Sequence, residues 1–199
     1  YTNVRFEEVM HKDSAQLDAH VLMTKSKDKS LAFEVEGTNS AGDWGAAASM
    51  TFQHKNLFKG SETFTFKVRG AFEAITGLED GYETDDYKEY GIESSLNFPS
   101  FMFPFLSSDF KKKIRATSEV GIKFNSQLRP EFTRTLASAS WSYRWTDKTR
   151  SQHRFDLLDI NYIYVPWKSE LFKAYLENLT DRNSILIKSY EDQLIVRMG

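Results

Sequence analysis

Glu34 and Glu36 stand two positions apart, a spacing that puts both carboxylates on one side of an extended chain. Paired carboxylates are able to do general acid–base chemistry. The plainer alternative is two solvated charges on a wet face. The acidic stretch from Glu79 to Glu89 offers carboxylate oxygens of the kind that suit Ca²⁺, although a solvated surface loop explains it as well. His11, His20, His54 and His153 lie far apart, and none has metal-ligand spacing. The chain holds no Gly-rich phosphate loop, no GxSxG elbow and no HExxH. With no cysteine, it has no disulfide, no thiolate metal site and no Cys nucleophile. A net charge of −2 supplies no field to recruit nucleic acid. Lys111 to Lys113 is a short basic run that reads as a solvated turn rather than a lipid-phosphate site, and Asn178-Leu179-Thr180 fits a glycosylation sequon. No catalytic constellation emerges, so the expectation is not an enzyme, with no metal and no cofactor.

The elements that would carry these residues are strands. Of 199 residues, 15% are aromatic, including 16 Phe, yet mean hydropathy is −0.52. Large aromatics in a polar chain call for an arrangement that separates them, and period-two alternation supplies it. Phe64, Phe66, Val68, Gly70, Phe72 and Ala74 fall on one face, and Thr63, Thr65, Lys67, Arg69, Ala71 and Glu73 on the other. The pattern recurs around Leu31–Gly37, Ala46–Gln53, Tyr90–Phe98, Ile114–Phe124, Ala137–Trp145, Leu158–Tyr164 and Asp192–Met198. The reading is about eight strands of roughly 9–13 residues, longer than the usual soluble strand. Ten residues tilted near 45° span about 23 Å, close to the apolar band of a membrane barrel. No run approaches the length of an apolar membrane helix.

Polar connections are expected over Thr38–Trp44, Leu78–Glu89 and Asn125–Glu131. Shorter ones are expected at Asn56–Ser61 and Thr146–Arg150, while Pro99–Lys113 is long for a short-side turn. Long loops on one side and short turns on the other suit an up-and-down meander. The spacing of Leu171, Tyr175, Leu176 and Leu179 predicts a helix over Trp167–Leu179, inside the loop before the last strand. The first 27 residues predict a hairpin of another domain, with strands Asn3–Val9 and Leu17–Thr24 joined by Met10–Gln16, then the solvated link Lys25–Lys29.

The run SLAFEVEGTNSAGDWGAAASMTFQHKNLFKGSETFTFKVRGAFEA, Ser30 to Ala74, resembles the opening of the barrel in the BamA/TamA-type outer-membrane assembly family, the bacterial surface antigen superfamily. The shared features are a strand ending in a Gly-containing loop, a second strand, an Asn–aromatic–Gly turn and a third strand. The turn residues here are Asn56, Leu57, Phe58 and Gly60. RPEFTR, Arg129 to Arg134, is similar to the Bacteroidota version of the family. The resemblance implies an all-β, antiparallel, up-and-down transmembrane β-barrel. Residues 28–199 would supply about eight of sixteen strands, and residues 1–27 the β-hairpin that ends the last periplasmic POTRA domain. An export signal, further POTRA domains, the second half of the barrel and the family's VRGF loop are expected outside these residues.

The resemblance also implies a role. The protein would sit in the bacterial outer membrane and insert client proteins there without ATP. The first strand, Leu31, Ala32, Phe33, Glu34, Val35, Glu36 and Gly37, would be one lip of a lateral seam. Clients would add to it by strand augmentation, and Gly37 would make the lip easy to open. Glu34 and Glu36 would then be ordinary lumen-lining charges. Trp141, Tyr143, Trp145, Tyr162, Tyr164 and Trp167 would be membrane-interface aromatics. The implied partners are nascent outer-membrane proteins, the lipid bilayer and periplasmic or lipoprotein assembly subunits, with no nucleic acid. Three competing expectations are a transport pore or secretion channel, a closed eight-stranded barrel acting as anchor or lipid carrier, and a soluble β-sandwich with its aromatics between two sheets.

Overall fold

The computed structural model describes residues 2–11, 14–24, 27–40, 43–76, 82, 86–103, 116–146, 150–178 and 185–199. Ten strands carry nearly all of them: β1 (Thr2–His11), β2 (Ser14–Met23), β3 (Lys29–Ser40), β4 (Asp43–Lys55), β5 (Thr63–Ala74), β6 (Asp86–Phe98), β7 (Ala116–Leu128), β8 (Phe132–Thr146), β9 (Gln152–Lys168) and β10 (Gln193–Arg197). Two helices, α1 (Glu170–Asn178) and α2 (Ile185–Lys188), interrupt the chain between β9 and β10. β1 and β2 form a two-stranded sheet. The other eight form one antiparallel sheet in strict sequence order, β10-β9-β8-β7-β6-β5-β4-β3. Each strand pairs with its chain neighbour, which is the topology that hairpin-like connections allow. The sheet is open, with β3 and β10 at opposite edges.

Period-two patterning located every strand of the large sheet, but the polar residues between them are more strand-like than composition suggests. The connection expected over Thr38–Trp44 contracts to 41–42, because Thr38, Asn39 and Ser40 pair with Gly45, Trp44 and Asp43. The one expected over Asn125–Glu131 contracts to 129–131, because Asn125, Ser126, Gln127 and Leu128 pair with β8. Backbone ladders satisfy these residues whatever their side chains. The linker expected over Met10–Gln16 likewise becomes strand on both sides, and Lys29 belongs to β3. The long-versus-short division of the connections therefore does not hold. One end of the sheet carries 41–42, 75–85, 129–131 and 169–192, the other 56–62, 99–115 and 147–151. We call these the helix end and the turn end. Most of Glu79–Glu89, all of Lys111–Lys113 and Leu179-Thr180 lie outside the described residues.

β9 reaches Lys168, so the expected helix begins three residues late, with Trp167 in strand. Ser169 is its N-cap: the Ser169 hydroxyl accepts from the Phe172 N–H at 3.2 Å. The packed side of α1 also differs from expectation. Leu171 and Tyr175 are exposed, whereas Phe172 and Leu176, four apart, are half-buried. β9 contains two bulges, opposite Thr133/Thr135 and Trp141/Ser142. Pro166 lies in the first, where a missing N–H does not break the ladder.

Four hydrophobic residues are buried among those described, Ala47, Ala116, Phe132 and Tyr143. The accessible surface is 15002 Å², against roughly 9,700 Å² for a compact soluble chain of this mass. One sheet with no second layer explains both observations. Among the described residues, the phenylalanines are not enclosed between stacked sheets.

Candidate functional site: a two-faced sheet with a free edge

Residues paired across an antiparallel ladder point to the same side, so the registers sort the whole sheet. Leu31, Phe33 and Val35 of β3 oppose Phe52, Met50 and Ala48 of β4. These oppose Phe66, Val68 and Gly70 of β5, and Val68 opposes Ile92 of β6. Ile92 opposes Phe124 of β7, Phe124 opposes Ala137 of β8, Ala137 opposes Tyr162 of β9, and Tyr162 opposes Leu194 of β10. One apolar face thus runs without interruption across eight strands. It is exposed: Val35 at 84%, Phe33 at 71% and Ile122 at 60%. A contiguous apolar surface of this extent marks contact with a partner or a membrane.

The opposite face is polar and cross-linked. Arg69 donates to Glu36 at 3.0 Å, Lys67 sits 3.8 Å from Glu34, and the Ser49 hydroxyl donates to Glu34 at 3.0 Å. These pairs tie β3 to β5 over the top of β4, which is why the small residues Ala47 and Ser49 beneath them are buried. Gly45 is required on the same side. A Cβ there would meet Thr38 Oγ1 at 2.6 Å and the Phe72 carbonyl at 2.8 Å. Further along, Lys123 pairs with Glu93 at 3.4 Å, and Arg144 with Glu119 at 3.1 Å. The Asn125 amide donates to Glu89 at 2.7 Å. Glu34 and Glu36 are thus held in ion pairs, and among the described residues no group of three or more His, Asp or Glu gathers as a metal would require.

The expected lip, Leu31 to Gly37, lies in β3 at the sheet's edge, with one side of its backbone paired to β4 and the other without a strand partner among the described residues. Gly37 faces open space, since an added Cβ would have nothing within 4 Å. The turn residues come together as a small cage. Asn56, Lys59 and Ser61 all have positive φ, at 66°, 68° and 67°. The Asn56 side-chain oxygen accepts from the Ser61 N–H at 2.9 Å, and the Glu62 carboxylate accepts from the Phe58 and Gly60 N–H groups at 3.1 and 3.0 Å. A backbone bond within Glu62 itself, followed by those from the Gly60 and Phe58 N–H groups, holds the Glu62 carboxyl below the usual carboxylate range. A Cβ on Gly60 would collide with the Glu62 carboxylate. Glu62 was not singled out from sequence, although its place at the end of the motif was visible.

The six expected interface aromatics share the apolar face but do not all stand at its ends. Trp141, Tyr143 and Trp145 lie toward the turn end and Tyr164 and Trp167 toward the helix end, whereas Tyr162 lies in the middle row with Val68, Ile92 and Phe124. Trp167 reaches that face only because the bulge at Val165-Pro166 shifts the phase. Sequence reasoning missed their companions. Trp44, Phe72 and Tyr90 extend the helix-end row, and Phe64 and Phe98 the turn-end row. Between the rows most of the face is aliphatic, with Phe33, Phe52, Phe66, Phe124 and Tyr162 set among the aliphatic residues. Tyr143 departs from expectation in being buried, at 3%, beneath Phe101 and Phe103.

At the helix end, RPEFTR anchors the inserted segment. Phe132 packs against Phe172 and Tyr190 with ring centroids 5.6 and 5.0 Å apart, the Ser169 N–H donates to the Glu131 carbonyl at 2.8 Å, and the Arg129 guanidinium lies 4.7 Å from the Tyr87 ring. A cleft of about 400 Å³ opens there, lined by Arg129, Arg134, Phe172 and Tyr190 among others. Its role is legible as anchorage of the insertion.

No protein-family model, no curated protein and no solved structure matches this chain.

Proposed function

We propose that the eight-stranded sheet is part of a transmembrane β-barrel in the bacterial outer membrane, and that the protein assembles client barrels there in the manner of the BamA/TamA-type family it resembles. The observation that carries the membrane half of this reading is the register-matched apolar face, exposed across eight strands and bordered at both ends by aromatic rows. From Phe64 to Phe72 that face spans roughly 26 Å along the strand, or about 20 Å after tilt, near the height of a barrel's apolar band. The ion-paired face is then the lumen. Among the described residues β3 and β10 sit at opposite edges and do not pair with each other. That arrangement favours part of a larger barrel over a closed eight-stranded one.

The assembly half rests on the resemblance and on β3 as a free edge. Within hydrocarbon an unpaired edge costs several kcal/mol per group, so a client strand that pairs there gains both hydrogen bonds and a route into the bilayer. No nucleotide is required. The hairpin β1–β2 supports a separate domain: Val4, Phe6, Met10, Leu17 and Val21 share one side by register, and that side is exposed. A covering layer of the POTRA kind would bury it.

The test is insertion of an outer-membrane client into vesicles by the reconstituted full-length protein. Adjacent N–H groups of a strand point to opposite edges, so Glu34→Pro and Val35→Pro between them must strike the free edge. One of the two is expected to slow client insertion at least severalfold while the barrel stays folded. Normal insertion by both, with folded barrels, would remove the edge-pairing role. Steady ion conductance with no effect on clients would favour the transport-pore reading.

A further inference from the structure

Ser118 is a small polar residue on the apolar face, in register with Phe98 on one side and Tyr143 on the other, and it has no exposed surface. The chain leaving β6 explains it. The Ser118 hydroxyl donates to the Ser100 carbonyl at 2.9 Å, and its oxygen accepts from the Met102 N–H at 2.7 Å. The Tyr143 hydroxyl donates to the Met102 carbonyl at 3.0 Å. Phe101 packs on the Tyr143 ring at 4.7 Å, and Phe103 lies 6.4 Å from it. Residues 99–103 therefore fold outward over the apolar face, away from the lumen side. Their carbonyls and N–H groups find partners in two side chains of the sheet, as backbone at the margin of a hydrocarbon layer must.

We infer that the start of the β6–β7 connection is an interfacial strap, buttoned to the barrel wall by Ser118 and Tyr143 and inserted at the boundary between acyl chains and headgroups of a phospholipid leaflet. The inference rests on the membrane reading above and deepens it. The lipid is identified as occupant by continuity, since the strap lies on the apolar face beside the turn-end aromatic row. Composition agrees: Phe101, Met102 and Phe103 are apolar, and Met102 is 45% exposed. The sequence continues with Pro104, Phe105 and Leu106. An apolar segment lying in the interface fixes the depth of a protein that also spans.

The chain lacks cysteine, so single nitroxide labels report position directly. We would label Met102→Cys, Ile122→Cys on the apolar face and Lys59→Cys in the turn, in the full chain reconstituted into vesicles of phosphatidylethanolamine and phosphatidylglycerol. Accessibility to oxygen and to a water-soluble nickel complex would be read for each. The expected ratio of oxygen to nickel accessibility at Met102 lies between the high value at Ile122 and the low value at Lys59, severalfold above the latter. Ser118→Ala combined with Tyr143→Phe should lower it and raise label mobility at that site. A Met102 value equal to that of Lys59, with Ile122 still in lipid, would overturn the strap and leave the membrane reading standing. Water access at Ile122 would overturn both.

Discussion

The turn between β4 and β5 is built from single-residue chemistry. Three non-glycine residues in the left-handed region cost about 1 kcal/mol or more each. Asn tolerates that region best, and Asn56 adds its side-chain bond to the Ser61 N–H. Asn56→Ala should therefore destabilise the folded protein by about 1–2 kcal/mol, and Asn56→Gly by less. Heat-induced mobility shifts on gels would compare the two. Glu62 gives the turn its pH dependence. Its carboxyl is held below its unfolded-state value, so its contribution is fully present above the usual carboxylate range and is lost as pH falls through the folded value. The protein's thermal midpoint should fall across that acid window. Glu62→Gln should remove part of the fall, and a titration of midpoint against pH for the two proteins would show it.

At the scale of elements, the edge strand β3 is held by more than its ladder. The Glu34–Lys67 and Glu36–Arg69 pairs reach over β4, so β3, β4 and β5 are tied together on the ion-paired face, behind the free edge of β3. Exposed ion pairs are individually weak, but both act on the same strand. Glu34→Gln with Glu36→Gln should speed amide exchange in β3 severalfold while leaving the β6–β7 ladder unchanged, read by exchange and mass spectrometry. Unchanged exchange in β3 would show that the ladder alone holds the edge strand. Elements were also where sequence was most informative. Alternation at Phe64–Phe72 or Val120–Phe124 reports a strand directly, because one side chain in two must face the apolar side. Strand ends were not legible. Thr38–Ser40 and Asn125–Gln127 are polar on both faces, and what makes them strand is backbone pairing with the next strand, which their side chains do not report. The same limit hid the phase shifts at Leu157 and Val165-Pro166, the outward fold of residues 99–103 and the Phe132–Phe172–Tyr190 cluster. Each depends on which distant side chain arrives opposite.

The whole molecule is a wall. Eight strands separate an apolar side from an ion-paired side, and among the described residues the order lies in backbone ladders and lateral contacts, with almost no enclosed core. Its stability therefore depends on what covers the apolar side. The most direct test is Ile122→Arg, at the middle of that face, measured as the free energy of reversible folding into lipid vesicles beside the unsubstituted protein. Ile122 is 60% exposed, so a water-covered face would tolerate arginine to within about 0.5 kcal/mol. A hydrocarbon-covered face predicts a loss of about 2–4 kcal/mol. A loss of that size is the result expected here; near-neutral arginine at this position, in a protein that folds equally well without lipid, would contradict it.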